Sequence, residues 1–243
     1  MLPIRRDIRF ALPAERIKNW HEQGPVVSHF FNALSLLFPQ GELFFMDSVR
    51  HYRGQIDDAE LKKEIQGFIG QEAMHSREHV AYNDLLQAAG LPAHTLDRRL
   101  KFFLDLQKKH LPPSFNLAVT IALEHYTAML AEILLSDPSR FGDSLKGYQQ
   151  MWYWHALEET EHKAVAFDVW NTVIKPGPAR YLLRTGTMLT TSVLFWVVVL
   201  DFHVRLLIAD RTSGGTLKGL WRMVKFLYGP KGVFPRMFRP WLH

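Results

Sequence analysis

Hydrophobic positions recur with helical spacing along nearly the whole chain, and no stretch alternates apolar and polar residues as a strand would. Proline, glycine and capping residues divide the helical pattern: Asp57 or Asp58 can cap one helix, and Ser114 can cap another. The first apolar helix is disturbed at residues 39–41. The predicted helices span about residues 26–53, 57–89, 93–110, 114–135 and 139–173. The pattern therefore predicts an all-α protein.

The character of the chain changes at Pro178. A very apolar helix follows, but its uncharged run, residues 185–200, is shorter than the roughly 20 residues that a membrane-spanning helix needs. A short basic helix over about 216–228 and a proline-rich end come after it. We therefore predict a main helical bundle over residues 1–177 and an appendage over 178–243, made of an apolar helix and a basic amphipathic segment.

Four successive long helices, with the shorter helix 93–110 left aside, carry carboxylates in apolar surroundings, and two of them also carry a histidine three residues later. Residues at i and i+3 share a helix face, so each Glu-x-x-His pair can reach one ion. Two such helices facing two that each supply one glutamate match the pattern of ferritin-like di-iron or di-manganese bundles. The predicted ligands are Glu42, Glu72, His75, Glu124, Glu159 and His162. Oxygen and imidazole ligands suit two iron or manganese ions, and the chain has no cysteine.

Two further histidines lie one helical turn from these pairs. His155 precedes Glu159 by four residues and is predicted as a seventh ligand; the alternative is a hydrogen-bonding role beside Trp152 and Trp154. His79 follows His75 by four residues and is either an extra ligand or a hydrogen-bond partner of a ligand carboxylate. No catalytic residue beyond the metal ligands is predicted.

The ligand pattern over about residues 28–173 resembles that of ferritin-like di-iron proteins. The extra histidine, His155, is similar to one in arylamine N-oxygenases such as p-aminobenzoate N-oxygenase. The whole chain, with "PQGELFF", "QEAMHSREH", "ALEHYTA" and "WHALEETEHKAVAFDV", resembles the bacterial family called predicted metal-dependent hydrolases. These resemblances imply a ferritin-like four-helix bundle with a dinuclear metal site.

Three functions follow from such a site. The first is an enzyme that activates dioxygen to oxidise a small apolar substrate, in the manner of an N-oxygenase, with an electron donor as partner. The second is a metal-dependent hydrolase in which the ions generate a hydroxide from water. The third is a ferroxidase or a metal-binding protein. A carboxylate-rich bundle core favours oxidation among the three.

The net charge of +5 is concentrated near the end of the sequence. Residues 211–243 contain seven lysines or arginines, no acidic residue, and several aromatic residues. This mixture favours contact with a membrane surface or a partner groove, and no motif indicates nucleic acid. The apolar helix of the appendage packs on the bundle or on the same helix of a second subunit in a homodimer, or else it lies in a membrane interface. The first residues have no apolar run typical of a secretion signal, so we expect a cytoplasmic protein, at the inner face of the membrane if the lipid contact is correct.

Overall fold

The computed structural model describes residues 2–211 and 217–242, and the regular elements within these ranges are all helical. The prediction of an all-α protein is confirmed. Three 3-10 turns, Ala14–Arg16, Arg53–Gln55 and Pro138–Arg140, accompany the α-helices. The α-helices of the described ranges are α1 (Pro25–Ser35), α2 (Phe38–Tyr52), α3 (Ala59–Ala88), α4 (Ala93–His110), α5 (Pro113–Leu135), α6 (Lys146–His162), α7 (Val165–Val173), α8 (Pro178–Ala209), α9 (Leu217–Tyr228) and α10 (Val233–Leu242).

Helix boundaries depart from the predicted ones at three places. The first predicted helix is divided into α1 and α2. In a continuous helix the ring of Pro39 would clash with the carbonyl group of Ser35, four residues earlier, and Pro39 has no N–H to donate to it. The helix predicted over residues 139–173 begins only at Lys146. It is also divided into α6 and α7 by a break between His162 and Val165, where the sequence has no proline or glycine. The cap predicted at Ser114 is wrong, since Pro112 precedes α5. The cap at Asp58 is confirmed: its carboxylate accepts hydrogen bonds from two backbone N–H groups of α3.

Four helices surround the centre of the molecule. α2 packs along α3, α5 packs along α6, α2 also contacts α5, and α3 contacts α6. α8 packs on α1 and α5, and its buried Val199, Phe202 and Leu206 join the hydrophobic core that contains Phe30 and Phe31 of α1. The division of the chain at residue 177 stays a prediction.

An extended segment of residues 3–12, the N-terminal strap, lies across α3 and α6. Gly67 of α3 permits its approach, because a Cβ at this position would lie 2.3 Å from the carbonyl oxygen of Pro3. The amide of Gln71 donates to the carbonyl oxygen of Ile4 (3.2 Å), and Arg77 donates to that of Ile8 (2.6 Å). The strap thereby closes one side of the four-helix core.

α8 presents an apolar stripe to solvent along its outer face. The exposed positions are three, four or seven residues apart, which places them on one side of the helix. They are Leu182, Leu189, Val193, Val197, Leu200, Val204 and Ile208, each between 42 % and 76 % exposed. By length and hydropathy both α5 and α8 could cross a membrane, but α5 is largely buried among other helices, whereas α8 is largely exposed.

Candidate metal centre

The seven predicted ligands and His79 meet at the centre of the four helices. α2 supplies one of them, α3 three, α5 one and α6 three. None of these side chains is more than 4 % exposed. They are Glu42, Glu72, His75, His79, Glu124, His155, Glu159 and His162.

Seven of these eight side chains form two groups with ligand spacing. The first group has four members, each of which offers one ligand atom, a carboxylate oxygen or a ring nitrogen, and these four atoms lie within 4.8 Å of one another. Its members are Glu72, His75, Glu159 and His162. The second group, Glu42, His79 and His155, meets the same limit. The two groups adjoin at Glu159, whose Oε1 lies 3.1 Å from His155 Nε2 and 3.7 Å from His75 Nδ1. These distances leave room for an ion in each group.

Glu124 stands beside the first group rather than within either. Its Oε2 lies 3.3 Å from Nδ1 of His162, and Oε1 has no hydrogen-bond partner among the described residues. The sequence predicts it as a ligand equivalent to Glu42, and the structure places it in neither the four-atom nor the three-atom group.

Helix direction explains this sorting. α3 and α6 run antiparallel: Glu72 faces His162 (3.4 Å between Oε1 and Nε2), whereas His79 faces His155 (3.1 Å between Nε2 and Nδ1). His79, one helical turn after the Glu72–His75 pair, therefore lies opposite His155, one helical turn before the Glu159–His162 pair. The spacing of these two histidines in the sequence was a signal for a second group.

The unpartnered atoms of the site fit divalent cations. Both carboxylate oxygens of Glu42, Glu72 and Glu124, and both ring nitrogens of His75 and His162, are buried without a hydrogen-bond partner. Within the described part of the chain, no lysine or arginine forms an ion pair with any of these glutamates. Buried charges without partners are strongly unfavourable, and they are typically neutralised by pairing or by metal coordination. The residues present therefore fit two oxygen- and nitrogen-ligated ions.

The electrostatics show how far these groups are from their ordinary environment. Burial, and then the charges of Glu159 and Glu124, raise the pKa of Glu42 well above its usual range. Burial raises the pKa of Glu124 to about 7, and it also raises the pKa of Glu72. The pKa of His75 is lowered well below its usual value, again chiefly by burial. Without a cation Glu42, Glu72, Glu124 and His75 thus favour their neutral forms, whereas, despite burial, the pKa of Glu159 is lowered by the neighbouring His162 and His155 and that of His162 is raised by Glu159 and Glu124.

Glu158 borders His75 on the side away from Glu72 and Glu159, and Glu158 is itself held by hydrogen bonds. Oε2 of Glu158 lies 3.1 Å from His75 Nε2, which leaves Nδ1 directed at Glu72 and Glu159. Oε1 of Glu158 accepts hydrogen bonds from Arg6 (3.0 Å) and from the indole of Trp154 (2.9 Å). Sequence reasoning missed both Glu158 and Arg6, because Glu158 does not share the ligand stripe and Arg6 lies in the irregular N-terminal strap.

His79 is held from the opposite side. Its Nδ1 lies 2.8 Å from the hydroxyl of Ser35, which donates in turn to Oδ1 of Asn83 (2.8 Å). The ring packs against Phe38, with 4.5 Å between centroids. Nε2 is thereby directed at the second group, as expected of a fixed ligand.

A narrow cavity of about 60 Å³ borders the second group. Polar side chains in its wall are few: Thr127, Arg140, His155 and Glu159. The rest of the wall is apolar, with four phenylalanines and Trp152, and it includes Phe226 of α9 and Val233 at the start of α10. Small-molecule sites commonly combine such an apolar wall with a few convergent polar groups.

A family model described as "Predicted metal-dependent hydrolase" matches residues 4–243. The chain belongs to this family. The match includes the N-terminal strap and α8–α10 as well as the metal centre, so the family pattern covers the whole architecture described above. No curated protein and no solved structure has significant similarity to the chain.

Proposed function

We propose that the chain is a dinuclear metal-dependent enzyme that acts on a small apolar molecule. The observation that carries this proposal is the pair of adjoining, buried Glu/His groups, most of whose ligand atoms have no other partners. We further interpret α2, α3, α5 and α6 as a ferritin-like four-helix bundle, because they supply glutamate, Glu-x-x-His, glutamate and Glu-x-x-His in that order.

Each group has a defined role in this proposal. Glu72, His75 and His162 hold one ion, Glu42, His79 and His155 hold the other, and Glu159 lies between them. With two divalent ions bound, the site gains Lewis acidity and, where the ions are iron or manganese, redox chemistry with dioxygen. The cavity wall binds the apolar part of the substrate and keeps bulk water from the ligands.

Hydrolysis is the reaction class that the family description supports. Such a reaction needs a group that takes a proton from water and returns it to the leaving group. Glu124 suits this role because it stands beside the ligands, its Oε1 has no partner among the described residues, and burial raises its pKa to about 7.

Oxidation by dioxygen is the second candidate, and the cavity favours it. The cavity that borders His155 and Glu159 is lined almost entirely by hydrocarbon, which suits an apolar substrate better than a polar ester or phosphate. A centre of glutamates and histidines without sulfur also suits iron or manganese. An oxidation of this kind also needs an external electron donor as a partner.

One experiment separates the two classes. Metal-free protein receives two equivalents of ferrous iron anaerobically and is mixed with oxygenated buffer in a stopped-flow spectrometer, while manganese-loaded protein is screened with apolar esters and phosphoesters. Oxidation predicts rapid oxygen consumption and turnover of an organic substrate; hydrolysis predicts ester or phosphoester cleavage that needs no oxygen. Glu72→Gln is the control that should abolish either activity.

Two further results would redirect the proposal. Oxygen consumption that stops after the bound iron is oxidised, with no organic product even when ascorbate as reductant and an apolar organic substrate are present, would indicate a ferroxidase. Failure of the wild-type chain to retain two ions would overturn the dinuclear site itself.

A further inference from the structure

Arg140 is a buried cation in the wall of the same cavity. It ends the 3-10 turn Pro138–Arg140, and the residue is only 8 % exposed. One guanidinium nitrogen donates to the carbonyl oxygen of Lys231, whereas Nε has no partner among the described residues. A guanidinium carries five N–H donors and stays charged. Nε is therefore a buried donor that no described residue uses.

No carboxylate of the described residues forms an ion pair with Arg140. Asp137, whose charge influences it, pairs with Arg236 instead (3.3 Å) and accepts a hydrogen bond from Ser139. A buried charge without a counterion is costly, and removal of the partner from a buried ion pair is among the largest destabilising changes known. The arrangement of Arg140 therefore matches that of a cation whose anion arrives with a ligand.

Aromatic rings connect Arg140 to the metal ligands. The guanidinium lies 5.9 Å from the ring of Phe226, and the rings of Phe31, Trp152 and Phe38 follow at centroid distances of 5.9, 5.1 and 6.0 Å. Phe38 then contacts His155 at 4.3 Å. The cavity thus has a cationic position and a metal-ligand position with an aromatic wall between them.

We propose that Arg140 binds the carboxylate of an apolar monocarboxylic acid whose hydrocarbon part lies along the aromatic wall and reaches the metal ligands. This inference rests on the proposed function, since it names the substrate class of that site. A carboxylate is the anion that best matches the planar fork of a guanidinium, because two parallel N–H donors bind its two oxygens. Arg140 is then the residue that determines which apolar molecules are bound and how they are oriented.

The test is isothermal titration calorimetry of manganese-loaded full-length protein with hexanoate and with hexanamide, which differ only in their charged and neutral head groups. We expect wild type to bind hexanoate at least about tenfold more tightly than hexanamide, the range typical of charge-assisted hydrogen bonds. Arg140→Gln should weaken hexanoate binding by about ten- to hundredfold and leave hexanamide binding little changed. Arg140→Lys, which keeps the charge but loses the fork, should fall between the two.

Other results would overturn the assignment. Equal affinities for acid and amide in wild type would do so even if Arg140→Gln failed to fold. Undiminished hexanoate binding by a folded Arg140→Gln protein would show that the carboxylate binds elsewhere, for instance at the metals. Metal content is measured on the same samples. A wild-type protein that does not hold two ions would refute the proposed function. A wild-type protein that holds two ions but does not prefer hexanoate to hexanamide would refute only the role of Arg140.

The outer faces of α8 and α9 carry a second, independent inference. α9 repeats the pattern of α8 with a stripe of its own: Leu217, Leu220, Trp221, Val224 and Tyr228, each at least 44 % exposed. Residues 217–242 contain six lysines or arginines and no acidic residue. Exposed apolar stripes of this kind mark interaction surfaces, and basic residues beside them favour anionic lipid headgroups.

We infer that these two stripes bind an anionic membrane surface, lying in its interface. The test is flotation of the full chain with phosphatidylcholine vesicles that contain or lack phosphatidylglycerol. We expect recovery with the anionic vesicles, and at least about a tenfold loss of binding for Val193→Glu with Val197→Glu, which buries two charges in the interface. The matched control is Phe102→Glu with Phe103→Glu on α4, which also replaces two exposed apolar residues.

Equal recovery of all variants, or no recovery of wild type, would contradict membrane binding. A dimer seen by light scattering that Val193→Glu with Val197→Glu dissociates, in a protein that does not float, would assign the stripe of α8 to a second copy of the chain instead.

Discussion

Replacing Glu72 by glutamine is expected to remove most of the bound metal and, at the same time, to stabilise the metal-free protein. Glu72 is fully buried, both of its oxygens lack hydrogen-bond partners among the described residues, and burial together with neighbouring carboxylates raises its pKa. A neutral amide needs no proton to be uncharged, so it spares the cost of protonating Glu72 at neutral pH, a gain on the order of 2 kcal/mol. For a chain of this size we expect a rise of roughly 4–8 °C in the melting temperature at neutral pH.

Metal analysis of dialysed protein and calorimetry of the metal-free form measure the two effects separately. Glu132→Gln is the matched control: it makes the same change on α5, at an exposed position, and should alter neither quantity. A Glu72→Gln protein that keeps two ions would contradict the site, and a lowered melting temperature without metal would contradict the electrostatic argument.

The second large effect concerns pH. The melting temperature of metal-free protein is expected to fall as the pH rises from about 6.5 to about 8.5, because the folded state then retains protons that the unfolded state has lost. Burial raises the pKa values of Glu42, Glu72 and Glu124, the last to about 7, above the ordinary 4.5 of an unfolded glutamate. Each retained proton lowers the unfolding free energy by up to about 1.4 kcal/mol per pH unit.

The lower limit of this pH range, about 6.5, is set by the histidines of the site. The pKa values of His75 and His79 are lowered by burial, so their contribution to stability increases with pH, but only up to their ordinary pKa of 6.5. The pKa of His162 is raised, because Glu159 and Glu124 outweigh the effect of burial, and its contribution declines with pH like that of the carboxyl groups. Above about pH 6.5 the declining contributions prevail.

Metal-loaded protein should behave differently, since ligands bind metal in their deprotonated forms and metal affinity therefore rises with pH. The difference in melting temperature between loaded and metal-free protein should widen across this range when measured by differential scanning calorimetry. Glu42→Gln removes one of the titrating groups and should flatten the slope of the metal-free protein. A gap that narrows with pH would count against metal binding by these carboxylates.

The grouping of the candidate ligands could be predicted from the sequence better than the helix ends. A spacing of three or four residues determines which side chains share a helix face, whatever the neighbouring helices do, and this is why Glu72 and His75, or Glu159 and His162, could be paired in advance. The split at Pro39 was visible as a disturbance, but the end of α6 at His162 has no local cause that the sequence displays.

Contacts between distant segments account for what was not predicted. The assignment of His79 to a group with Glu42 and His155 depends on the antiparallel alignment of α3 and α6, which spacing within one helix does not reveal. The pairing of Arg6 with Glu158 joins residues that are 152 positions apart and in different kinds of structure. Such supports of a ligand become visible only once the fold is known.

The N-terminal strap also affects the order in which the molecule can be completed. Its residues are synthesised well before α6, yet Arg6 meets Glu158 and Glu161 only after α6 has been made. At cellular rates of about 5–20 residues per second, this delay is on the order of ten seconds. The strap can lie on α3 earlier, but its ion pairs beside His75 form only once α6 and its three candidate ligands have been made, so the site is assembled and enclosed at the same stage of folding.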